Sequence, residues 1–204
     1  IGSNLHKPAA LTPAFRERSL VAPTPARRQH VERRLVRHVD DSMLARLVFI
    51  SRGVTLASPV KQDLHVAWSL MRAREGVFFP RLRKRGGLAY SVAAFSREYA
   101  DSGYGMLVVK CDPSRVCDVE GAFAEAIVDL SQSTIPERTI IETVYSLRLD
   151  HRLAMRNPVA LARSALSHEI AGSSLENYTK AFSRVISDTV ASASATHLTP
   201  EKGL

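Results

Sequence analysis

Cysteine, aromatic residues, acidic residues and long apolar runs are all scarce in this sequence, and its histidines never stand close together. The 2 cysteines, Cys111 and Cys117, are too few for a disulfide framework. With no other soft ligand nearby they read as buried free thiols, not as half of a metal site. No apolar stretch approaches the roughly 18 residues needed to cross a bilayer, and no charged and apolar leader opens the chain. A water-soluble chain is the expectation. The 7 histidines are His6, His30, His38, His65, His151, His168 and His197, and no two share the i, i+4 spacing that lets one helix hold a metal. His168-Glu169 has no second histidine beside it. A zinc site built within this chain is therefore not expected, and no cofactor is assigned to it.

Acidic residues number 20 against 28 lysines and arginines, which leaves a net charge of +8 and a pI near 9.9. The basic residues are spread along the chain and only 6% of residues are aromatic, with no nucleic-acid signature. Nucleic acid is not the expected partner. An acidic peptide or a negatively charged protein would suit the charge equally well.

The composition, 45% hydrophobic and 24% charged, is that of an ordinary globular chain, and the length suits one well-buried domain. Residues 1–26 carry Pro8, Pro13, Pro23 and Pro25 and read as an extended linker. Residues 27–204 read as a single domain. A strand is expected at 29–39, although Arg33 and Arg37 interrupt the apolar face of Val31, Leu35 and Val39. A cleaner strand is expected at 46–54, after Asp40-Asp41. From Ser58-Pro59 the period becomes helical, with Val60, Leu64, Ala67, Trp68 and Met71 on one face. Strands at 89–97 and 103–111 follow, joined by Tyr99-Ala100-Asp101-Ser102. Asp112-Pro113 is an N-cap with proline at the first helical position, opening a helix with Val116, Val119, Phe123, Ile127 and Leu130 inward. Thr134-Ile135-Pro136-Glu137 reads as a capping box for a helix that aligns Ile140, Val144, Leu147 and His151. Further helices are expected at 158–170, 175–183 and 187–197. Four strands followed by several helices predict an α+β fold, a largely antiparallel sheet of four or more strands with helices on one face.

The segment Arg83-Lys84-Arg85-Gly86-Gly87-Leu88-Ala89-Tyr90 joins a short helix, Phe78 to Arg83, to a strand through a glycine turn. A guanidinium and a phenol brought together across that turn could hold a peptide carbonyl and stabilise the oxyanion that forms when it is attacked. Neither group can activate the attacking water. The plainer reading makes Arg81, Arg83, Lys84 and Arg85 a solvated charge run and Tyr90 a half-buried packing residue.

The pattern L-R-x-x-x-G-L-A-Y-S at 82–91 resembles the signature of the C-terminal, zinc-free half of pitrilysin- and insulinase-type zinc peptidases, the group that includes mitochondrial processing peptidase. The resemblance runs from about Arg27 to His197 and is most specific from Leu82 to Val92. Two departures stand nearby. Lys84 replaces the usual acid after the arginine, and Ala73-Arg74-Glu75-Gly76 replaces a glycine-rich segment. The resemblance implies that Arg83 and Tyr90 reach across to zinc held by an H-x-x-E-H half or subunit, with a peptide as substrate. It also implies a last strand after the closing helix, where this sequence has Thr199-Pro200-Glu201-Lys202-Gly203-Leu204. A sheet short of that strand has an open edge to be covered in a hetero- or homo-oligomer. The alternative is a catalytically inactive structural or peptide-binding module of the same descent, as in respiratory-complex core subunits. The sequence starts at Ile1, as a processed piece or part of a longer protein would. Few cysteines suit a reducing cytoplasm, and a processed or secreted origin stays open.

Overall fold

The structure is a computed structural model that describes residues 43–84, 87, 89–170, 172 and 180–198. All of these lie in the second of two compact units, residues 31–204. The proline-bearing stretch 1–26 and the strand expected at 29–39 fall outside the described residues, as does most of the helix expected at 175–183.

Three strands form one antiparallel sheet in the order β1-β3-β2: β1 (Ala45–Arg52), β2 (Ala89–Glu98) and β3 (Gly103–Cys111). The expected four or more strands are thus three among the described residues. Strict alternation accounts for β1, where Leu47 and Phe49 face the core while Val48 and Ile50 stay exposed. The β2–β3 hairpin closes at Tyr99, whose N–H donates to the Ser102 carbonyl at 2.8 Å.

Helices α1 (Lys61–Arg72), α2 (Phe79–Lys84), α3 (Val116–Ser131), α4 (Glu137–Ala154), α5 (Pro158–Ile170) and α6 (Ser187–His197) make up the rest, with short 3-10 turns at Pro113–Arg115 and Phe182–Arg184. Helix α1 lies on β2 and β3, with α4 and α6 against its other sides. That enclosure explains why Leu64, Ala67, Trp68 and Met71 are buried as their spacing predicts, and why Lys61, Gln62 and Asp63 are buried with them. Burial of one such large apolar side chain contributes about 1.5–3 kcal/mol. Trp68 lies flat on the sheet because β3 has a glycine there. A Cβ on Gly105 would stand 2.0 Å from the Trp68 Nε1. Helix α3 meets the sheet through Phe123, whose ring stacks on Phe49 at 4.1 Å and meets the edge of Phe78 at 6.1 Å.

Asp112 caps as expected. Its carboxylate accepts the Ser114 N–H at 2.8 Å and the Ser114 hydroxyl at 2.6 Å, which holds its pKa below the ordinary value, but the chain makes a 3-10 turn before α3 begins. The capping box at Thr134 does not form. Pro136 occupies the N-cap of α4, so Glu137 stands in the first turn, not three residues in. Thr134 instead donates to the Asp129 carbonyl at 3.2 Å, and Glu137 accepts the Ser187 N–H at 3.0 Å. A residue expected to cap its own helix caps the distant N-terminus of α6. Of the cysteines, Cys111 is buried and Cys117 is exposed, because Cys117 sits on the outer side of the first turn of α3.

Candidate functional site

Arg81 and Arg83 stand 200° apart around α2, so the helix sends them in opposite directions. Arg81 turns onto α3. Its guanidinium pairs with Asp129, lies 3.5 Å from the Glu125 carboxylate and donates to the Val77 carbonyl. Leu82, between them, is 2% exposed and anchors the helix in the core. Arg83 is exposed and has no acidic partner among the described residues. The apparent charge run therefore contains two different arginines, one a structural tie and one free.

Gly87 has φ of +73°, the left-handed backbone that ends a helix and that glycine adopts without a Cβ penalty. Beyond it, Ala89 pairs with Cys111, but the next residue of β3, Lys110, pairs with Ser91. Tyr90 is the extra residue of a β-bulge. Ala89 and Val92 both pack toward the core, so the bulge turns Tyr90 and Ser91 together to the open face of the sheet. Tyr90 is 71% exposed, well beyond the half-buried position that a strand start suggests. The path between Arg83 and Tyr90 includes residues 85, 86 and 88, which lie outside the described residues.

Sequence reasoning passed over a second polar centre at the far end of β2. His65 Nε2 and the Glu98 carboxylate lie 2.9 Å apart, with side-chain exposures of 17% and 8%. Burial opposes the charge on Glu98, yet its bond to His65 and the nearby Lys61 ammonium outweigh burial and hold its pKa below the ordinary value. Lys61 donates to the Leu56 carbonyl at 2.9 Å, and burial lowers its pKa despite Glu98. Burial likewise lowers the pKa of His168, helped by the charges of Lys61 and His151. The available signal was Glu98 itself, the sole acid in the three strands of the sheet, although it stands one residue past the strand expected at 89–97. The His65–Glu98 pair ties α1 to β2, and Lys61 ties the start of α1 to the loop after β1; among the described residues no three metal-ligating side chains gather.

A family model described as the peptidase M16 inactive domain matches residues 10–143. None of the curated proteins matches the sequence. Among solved structures, the inactive peptidase domain of a zinc protease described as putative from Bordetella parapertussis superposes with a TM-score of 0.70 at 13% identity, covering 79% of this chain and 90% of that one. A protease from Helicobacter pylori gives 0.69 at 10% identity, covering 83% of this chain and 42% of that one. A chain of complex III2 from Candida albicans, solved with Inz-5 bound, gives 0.68 at 15% identity, covering 78% and 41%. The chain thus spans about two fifths of the length of the last two. At such identities the likeness concerns the fold.

Proposed function

Because this chain belongs to the peptidase M16 inactive-domain family, we propose that it is the zinc-free half or subunit of a two-part metallopeptidase, presenting Arg83 and Tyr90 to a peptide held at the zinc of an H-x-x-E-H partner. Its own residues do not fit a metal: no two histidines have helical ligand spacing, and no ligand cluster forms among the described residues. The observation that carries the reading is the contrast across the helix-to-strand turn. Arg81 is consumed by Glu125 and Asp129, whereas Arg83 has no acidic partner among the described residues and the bulge leaves Tyr90 exposed. In this role the Arg83 guanidinium holds a substrate carbonyl and the Tyr90 hydroxyl donates to the oxyanion as it forms. The general base and the water belong to the partner.

The test is reconstitution with an H-x-x-E-H subunit encoded beside this chain. Tyr90→Phe should lower turnover by about 10²- to 10³-fold, the scale for one lost oxyanion donor, with assembly intact. Arg83→Ala should chiefly raise KM. The likeness in fold to a chain of complex III2 supports a second reading, a structural or binding module without catalytic duty. Full activity in an assembled Tyr90→Phe complex would decide for that module.

A further inference from the structure

Helices cover one face of the sheet, and the other face is ordered in rows. Strand register sets Arg46 directly across from Lys110 at one end of this open face, and Arg52 and Arg97 on either side of Tyr104 at the other. Between them lie two apolar rows, Val48 opposite Val108 and Ile50 opposite Met106, with Val48 48% and Ile50 56% exposed. Among the described strand residues no acid shares this face. Glu98, the sole acid of the three strands, points to the opposite side and pairs with His65. None of the four cations has an acidic partner among the described residues. Like charges set directly across a sheet are destabilising, so Arg46 opposite Lys110 costs the fold something that nothing described within it offsets. An anionic ligand would offset it.

We propose that this face is a specificity surface for substrate, selecting an extended peptide segment with two apolar residues flanked by an acidic residue on each side. The proposal rests on the peptidase reading and names its substrate class. Neighbouring rows are two residues apart along each strand. The two basic rows are therefore six residues apart, about 20 Å at 3.4 Å per residue. An extended peptide of pattern acid-x-apolar-x-apolar-x-acid has the same period, and turns all four specified side chains to one side. Tyr90 stands at the bulge beside the Lys110 row, so such a segment runs toward the proposed clamp.

Binding to the full chain tests this without the partner. Fluorescence anisotropy would use labelled Glu-Ala-Val-Ala-Leu-Ala-Glu, its Lys-ended analogue, and a permuted peptide with both glutamates at one end. The acid-ended peptide should bind at least about tenfold tighter than the Lys-ended one, and the permuted peptide should lie between them. Arg46→Glu should abolish most of that preference without lowering the unfolding midpoint, since it sets a carboxylate across from Lys110. Arg97→Glu should act at the other end. Equal binding of acid- and Lys-ended peptides, or preference for a single-stranded oligonucleotide over the acid-ended peptide, would overturn the proposal. The clamp is judged separately. Equal peptide binding with a slow Tyr90→Phe complex removes the specificity surface alone, and acid preference with a fully active Tyr90→Phe complex removes the clamp alone.

Discussion

Gly105→Ala adds one methyl group at the centre of β3, and the structure says why that should be costly. The new Cβ would lie 2.0 Å from Nε1, 2.1 Å from Cε2 and 2.2 Å from Cζ2 of Trp68. Ordinary carbon contacts need about 3.5 Å, so the indole must retreat by about 1.5 Å. It has no room to do so, since Trp68 is 2% exposed and α1 is enclosed by the sheet on one side and by α4 and α6 on others. Overpacking of a close-packed core costs about 1–3 kcal/mol, and about 2 kcal/mol in a domain of this size lowers Tm by about 4–8 °C. Gly121→Ala is the matched control. Gly121 lies exposed in α3 with nothing within 4 Å of the Cβ that alanine would add, and glycine within a helix is unfavourable against alanine. That variant should gain about 0.4–1 kcal/mol. Urea titration of both variants beside the parent chain measures the difference. If Gly105→Ala unfolds at the parent's midpoint, or if both variants shift in the same direction, the seating of Trp68 on the sheet is wrong.

Other consequences follow from the same contacts. Arg81→Ala should destabilise the chain by about 1.5–3 kcal/mol, the scale for hydrogen bonds to charged groups, whereas Arg83→Ala should leave the unfolding midpoint within about 0.5 kcal/mol of the parent; equal losses would contradict their opposite settings. Acidification should weaken the fold in two stages. His168 has a folded pKa below its ordinary 6.5, so the unfolded chain binds the extra proton and stability, complete above pH 6.5, falls as pH drops through that window. Glu98, with a folded pKa below 4.5, adds a loss only below that pH. His168→Gln should flatten the first stage in urea midpoints measured at pH 7.5 and 5.5, and an unchanged slope would refute the assignment. Equilibrium dialysis followed by metal analysis should find no stoichiometric zinc on the full chain; one tightly held zinc per chain would overturn its assignment as the zinc-free half.

Periodicity and turn chemistry carried a good part of this protein, because both are local. The inward stripe of α1, the bounds of β3, the Asp112 cap and the extent of α6 follow from residues within a turn or two of one another. The signature from Leu82 to Ser91 pointed to the family for the same reason, being a short run whose residue types are constrained together. Tertiary structure decided the rest. Arg81 and Arg83 are alike in sequence, and only the approach of Glu125 and Asp129 on α3 makes one a tie and leaves the other free. The bulge at Tyr90 is a mismatch between two strands, so neither strand shows it alone. Glu137 carries a capping signal for its own helix, but Pro136 displaces it and Ser187, 50 residues away, takes the bond. The rows of cations on the open face exist only once register sets Arg46 opposite Lys110. What a residue is inclined to do is written within a few positions of it; which partner it meets is settled by the packing of elements far apart in the chain.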